Sequence, residues 1–262
     1  MPRRRKTLPA TMAEILARGD IEEVAAALAR CETGARMPTA LRESVLHLTP
    51  CPDTVVRWLV ERGEDVNAAD RCGRRPLHTR VTARYWRQIP LLLRLGAEVD
   101  APQKNGATAL HVAVENLCLE AVDTLLASGA DATRLTTNRT GQVDGALSYA
   151  LRSEHYLEAP TILTVVHRLI AAGAVPQGTE EPALTRMGHQ YQHALARYDQ
   201  DDPARGRIEA VGGALNRLYE IYGVLPVAPV RLRDRTTLRA PLQTRRQSPE
   251  PAGAVRTQPS PA

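Results

Sequence analysis

Apolar residues recur at helical spacing through most of this chain, and between residues 71 and 131 one order of polar and apolar positions is written twice. Gly73, Leu77, His78 and Gly96 return 33 residues later as Gly106, Leu110, His111 and Gly129. A fixed period of this length marks stacked structural repeats. Each copy holds two short apolar runs, the second ending at a glycine, which predicts a pair of helices closed by a left-handed residue. One such unit cannot bury enough apolar surface to offset the roughly 1–2 kcal/mol per residue lost in fixing its backbone, so neighbours are required.

Those neighbours are legible on both sides. Upstream, Val45-Leu46-His47, the run Val55 to Val60, and Gly63 repeat the pattern; His47 to Gly63 spans 16 residues against 18 from His78 to Gly96, so the turn at 49–53 is tight. Further back, Ala13 to Leu16 and Ile21 to Ala29 predict a capping helix pair whose apolar stripe is Ile15, Leu16, Val24 and Leu28. The Arg18-Gly19-Asp20 string falls between those helices and is read as a turn. Downstream, Ala146 to Ala150 and Ile162 to Ala171 form a degenerate copy with a longer connection, 26 residues from Leu147 to Gly173 against 19 from Leu110 to Gly129. Beyond Gly173 the period is lost, but Leu184, Met187, Tyr191, Leu195, Tyr198 and then Ile208, Val211, Leu215, Leu218, Tyr222 step by three or four residues. Two amphipathic helices separated by Asp201-Asp202-Pro203 follow.

Pro76-Leu77-His78 and Ala109-Leu110-His111-Val112-Ala113 fit the pattern T-P-L-H-x-A, followed by Gly96-Ala97 and Gly129-Ala130-Asp131. On these motifs the chain resembles the ankyrin repeat family over residues 11–175, most strongly over 64–131. The resemblance implies an all-α solenoid of helix-turn-helix units with β-turn fingers. Its units would be a cap at 11–38 and repeats at about 39–70, 71–103, 104–136 and 137–175. A divergent helical pair at 176–224 would close the stack, between disordered basic tails at 1–10 and 225–262. His47, His78 and His111 sit where the family uses an imidazole to bond backbone groups and tie adjacent fingers. Three departures stand out. Arg80 replaces the small residue kept as Ala113 and must snorkel outward or find a partner. Arg84-Tyr85 and Leu117-Cys118 replace the family's Gly-His turn, and Pro90 is acceptable only in the first turn of its helix. Trp86 and Leu119 occupy one apolar position and are read as core.

Charge sharpens the division into body and tails. Arg3 to Lys6 contribute +4 and the segment from Leu225 contributes +5, so the body keeps −4 of the formal +5. No run of apolar residues approaches membrane-spanning length, and early acids argue against a targeting peptide. Cys31, Cys51, Cys72 and Cys118 show no metal-binding or paired spacing, which favours free thiols in a reducing, cytoplasmic compartment.

Candidate chemistry is sparse. His189 and His193 are four residues apart on a predicted helix, a spacing used by zinc sites, with Asp199, Asp201 and Asp202 nearby. The intervening Gln190-Tyr191-Gln192 lacks a glutamate to act as general base, so an exposed polar face is preferred and no metal or cofactor is assigned. His155 and His167 have no partner pattern. Gly212-Gly213 lies within a helical pattern, and neither a phosphate loop nor a nucleophile elbow is present.

The resemblance therefore implies a non-catalytic protein-interaction scaffold, an adaptor or an inhibitor or immunity-type binder, expected to be monomeric. Its partner-binding positions map onto Ala69, Arg71, Cys72, Arg74, Thr82 and Ala83 in one repeat, and Pro102, Lys104, Asn105, Ala107, Glu115 and Asn116 in the next. Arg71, Arg74 and Lys104 are expected to reach out from the fingers toward a polar protein partner. The alternatives are a nucleic-acid-associated protein using the basic termini, whose salt-dependent contacts lack interleaved aromatics for stacking, and a metal-dependent enzyme built on the 180–222 helices.

Overall fold

Stacked helix pairs account for most of the chain. The structure, a computed structural model, describes residues 4–137, 141–153, 155–198 and 202–230. The cap comprises β1 (Arg5–Thr7), α1 (Met12–Arg18), α2 (Ile21–Leu28) and β2 (Cys31–Arg36). The repeats follow: a 3-10 turn at Val45–His47 with α3 (Asp53–Glu61), then α4 (Pro76–Thr82) with α5 (Ile89–Arg94), and α6 (Ala109–Glu115) with α7 (Leu119–Ala127). A short ribbon of β3 (Thr136–Thr137) and β4 (Val143–Asp144) leads into α8 (Ala146–Ala150) and α9 (Ala159–Ala171), and α10 (Glu181–Arg197) and α11 (Pro203–Tyr222) complete the order.

Two layers result. The 3-10 turn, α4, α6 and α8 pack in succession, while α5, α7 and α9 form the second row, on which α11 and then α10 pack. The apolar periodicity supplies the buried surfaces: Leu46, Val55, Val56, Leu59, Leu77, Val81, Ile89, Leu92, Leu110, Ala113, Val122, Leu125, Leu147, Ile162, Val166 and Leu169 are sealed from solvent. Adjacent units are also stitched by polar groups. The Asn67 side chain donates to the Gly96 carbonyl (2.8 Å) and accepts from the Glu98 amide (2.9 Å), and 33 residues on Asp100 accepts from the Asp131 amide (3.1 Å). Asp20 and Asp202 cap α2 and α11 by accepting from the amides of Glu22 and Ala204, each at 2.8 Å.

Several expectations are corrected. Disorder through residue 10 does not hold from Arg5 onward: β1 pairs in parallel with β2, and Leu8 is buried against the cap. Residues 1–3 lie outside the described residues. The first helix of the 39–70 unit is reduced to one 3-10 turn, because Pro50 and Pro52 force the preceding residues toward extended backbone. At the C-terminal end, residues 225–230 have no regular structure, yet the Val227 side chain lies close over Gly188; the expected disorder of 231–262 falls outside the described residues. Pro90 occupies the first turn of α5, where its missing donor costs no helical bond. Gly188 and Gly212 explain how α10 and α11 approach: Tyr219 covers the first and Tyr191 the second, in space that a methyl group would fill.

Candidate functional site

The fingers are built from short local hydrogen bonds. Asp70 opens one of them: its amide donates to the Arg74 carbonyl (2.8 Å), and its carboxylate accepts from the amides of Cys72 (2.7 Å) and Arg74 (2.9 Å) and from the Arg74 guanidinium (2.8 Å). Burial opposes ionisation of Asp70, but these donors hold its carboxyl below the usual value. In the next finger the Gln103 amide donates to the Ala107 carbonyl (2.8 Å), and Asn105 accepts from the Ala107 amide (3.1 Å).

Backbone bonds then join finger to finger. The Arg71 amide donates to the Leu41 carbonyl (2.8 Å) and the Lys104 amide to the Cys72 carbonyl (3.0 Å). Gly73 is required at this junction, since its φ is +79° and an added Cβ would stand 2.8 Å from the Lys104 nitrogen. The first fingers thus form a continuous edge with fixed spacing.

Of the residues singled out in the sequence, Ala69, Arg71, Cys72, Pro102, Lys104 and Asn105 are exposed along this edge. Arg71 and Lys104 carry no side-chain ion pair among the described residues. Two positions must be corrected. Ala107 is buried in the core, and Arg74 does not reach out, because it is held by Asp70 (2.8 Å) and Glu43 (3.9 Å). At the ends of the first helices, Thr82 bonds the His78 carbonyl (3.2 Å), Ala83 is half-buried, Asn116 bonds the Val112 carbonyl (2.8 Å) and Glu115 pairs with Arg152 (3.1 Å). The helix-to-helix turns adopt positive φ at Arg84 (61°) and Leu117 (49°), where glycine would be unstrained.

The repeat histidines lie behind this edge. His47 Nδ1 meets the Ser44 hydroxyl (2.8 Å) and its Nε2 the Arg74 carbonyl (2.9 Å); His111 makes the same contacts with Thr108 (2.9 Å) and Arg134 (3.1 Å). His78 keeps the first bond, accepting from the Arg75 amide (3.1 Å), while its Nε2, directed at the backbone of Ala107, falls short of hydrogen-bond geometry. Burial pushes all three imidazoles down to about 4, so they are neutral at pH 7.

Arg80 is fully buried rather than snorkelled. Its Nε donates to Gln88 (2.8 Å), and the Gln88 amide donates onward to the Cys51 carbonyl and to Asp53, each at 2.7 Å. Both terminal nitrogens of Arg80 remain without hydrogen-bond partners. The Gln88 bridge escaped the sequence reading, since a lone glutamine in a helical run gives no periodic signal.

His189 and His193 do share a face, and with His155, Tyr156 and Arg197 they line an open pocket of about 750 Å³. Among the described residues no three metal-binding side chains converge; Asp199 and Asp201 lie outside them. His167 is exposed. No helix among the described residues is long and apolar enough to cross a membrane.

A row of paired helices with projecting fingers and tied histidines defines a helical repeat module. Residues 15–136 match the family model of ankyrin repeats, in three copies, and this stretch belongs to the ankyrin repeat family. The chain is 42% identical over 84 residues to the B-cell lymphoma 3 protein homolog of Mus musculus, covering 32% of this chain and 18% of that protein. It is 42% identical over 98 residues to the B-cell lymphoma 3 protein of Homo sapiens (35% and 21%), and 38% identical over 92 residues to the human Neurogenic locus notch homolog protein 4 (34% and 5%). The chain thus spans at most 21% of the length of these relatives.

Proposed function

We propose that this protein is a non-catalytic scaffold that holds another protein against its finger edge and the face of its first helices, as an adaptor or as an inhibitor that occludes its partner. The observation that carries the reading is the tied edge itself. Leu41–Arg71 and Cys72–Lys104 backbone bonds hold the tips rigid, and the exposed cations Arg71 and Lys104 stand on them. Preordered tips lose little conformational freedom on binding, which favours affinity, and unpaired cations select carboxylates on the partner. Exposed Cys72 supports a reducing, cytoplasmic setting, where such a thiol persists unpaired.

Capture from a lysate of the source organism tests this reading, using the full chain beside an Arg71→Glu, Lys104→Glu variant of equal melting temperature. A specific protein retained several-fold less by the variant is expected. Equal retention would remove the fingers from the account. Activity of the captured partner, measured with and without the scaffold, then separates inhibitor from adaptor.

A further inference from the structure

At the far end of the stack, a pocket of about 250 Å³ lies between the β3–β4 ribbon, α8 and the start of α10. Its charged lining is Asp144, Arg152, Glu180 and Arg186, joined by Ser148, Thr179 and Gln142. Glu180 is the unusual member. It is only 3% exposed, and one carboxylate oxygen accepts from the Ser148 hydroxyl (2.8 Å) and the Gln177 amide (3.2 Å). Its other oxygen, Oε2, is sealed from solvent and has no hydrogen-bond partner. An acceptor removed from water without a donor is a costly arrangement that an incoming donor relieves.

The remaining charges decide what kind of donor fits. Arg152 is already engaged, bridging Asp144 (3.4 Å) and Glu115 (3.1 Å) and lying 3.5 Å over the Tyr149 ring. Arg186 is likewise not free. The lining holds two carboxylates and two guanidiniums, and with both guanidiniums engaged, Arg152 also by Glu115 outside the lining, Glu180 Oε2 is the acceptor left unanswered. Leu151, Pro182 and Ala183 complete the lining and offer apolar surface to an aliphatic stem.

We infer that this pocket takes one lysine or arginine side chain of the protein partner, its stem resting on Pro182 and Ala183 and its cationic head donating to Glu180 Oε2, which a small side-chain rotation brings to the pocket surface. The inference rests on the scaffold reading for the source of that side chain, and it adds a second anchor of opposite charge to the finger cations. The partner would then present acids to Arg71 and Lys104 and a base to Glu180, which fixes the direction in which it lies along the stack.

The test has two arms. In the first, amide resonances of the full chain are followed during titration with N-acetyl-lysine methylamide, with the norleucine and glutamine analogues as apolar and neutral-donor controls. Shifts at Arg152, Thr179 and Glu180 are expected with the lysine probe, weakened about tenfold in affinity by Glu180→Gln. Equal shifts with either control, no shift, or a response unchanged in Glu180→Gln would overturn the inference. Asp144→Asn serves as a second variant should Glu180→Gln lower the melting temperature. In the second arm, lysate capture by Glu180→Gln is compared with the Arg71→Glu, Lys104→Glu variant. Capture lost in both supports two anchors. Capture lost only in the finger variant rejects the pocket and leaves the scaffold standing, while no capture by any chain rejects the scaffold and leaves the titration to decide the cation site.

Discussion

The units 71–103 and 104–136 share a period, a helix pair and a buried histidine, yet they solve the packing of their first helices in different ways. In the second, Ala113 lets α6 pack closely and Ala121 lies in α7, both wholly buried. In the first, the same two places hold Arg80 and Gln88, and the guanidinium is sealed inside with only Nε satisfied. A repeat stack tolerates such a cation because each unit answers only to its neighbours. Gln88 supplies the answer by linking Arg80 to Cys51 and Asp53 of the preceding unit. The lesson is that a departure from the repeat pattern is absorbed by a second departure nearby, and the pair should be read together.

The largest effect should come from what the two units share with the unit before them. His47, His78 and His111 titrate near 4 when folded and near 6.5 when unfolded, so the unfolded chain binds more protons between those values. Stability is therefore full above about pH 6.5 and falls as pH drops toward 4, by on the order of 3 kcal/mol per histidine. Urea melts at pH 7, 5.5 and 4.5 measure it, and a midpoint independent of pH would refute the buried neutral imidazoles.

Next in size is the swap that breaks the comparison outright. Ala113→Arg buries a guanidinium in a unit where Ala121 holds the place of Gln88, so no glutamine receives it, and should cost about 4 kcal/mol or prevent folding. Denaturant melts that show a loss below about 1 kcal/mol would mean that the second unit opens a route to solvent for the charge. A smaller effect sharpens the comparison: Gln88→Ala should cost roughly 3 kcal/mol, and clearly less when Arg80 is already methionine, because no charge is then stranded. Additive costs in that double-mutant cycle would show that the two residues act independently.

Much of the fold was legible in these residues. The Leu-His and Gly positions predict the helix pairs, and the three- and four-residue steps from Leu184 and Ile208 predict α10 and α11, whose Leu184, Met187, Leu215 and Leu218 are buried. The illegible parts share a physical cause: they depend on pairings distant in sequence and without period. Strand β1 has no apolar alternation and forms only because β2 returns beside it. Nothing around Gln88 announces that it faces Cys51, 37 residues away. Gly188 and Gly212 gain their meaning from tyrosines on the opposite helix, and Glu180 reads in sequence as a solvated acid at a helix start. The finger edge was legible as a row of positions, but Arg74 and Ala107 show that its exposed members depend on local pairing and packing.

Whether that edge meets the partner is tested most directly by a photo-crosslinker on Cys72, the exposed fingertip thiol, in the full chain with the half-buried Cys118 changed to serine. The same label on an Ala210→Cys, Cys72→Ser, Cys118→Ser chain, exposed on α11, is the reference. Irradiation in lysate should give one discrete protein adduct from the Cys72 label and none from the α11 label. No adduct from Cys72, or the same adduct in equal yield from both sites, would contradict the finger edge as the binding surface.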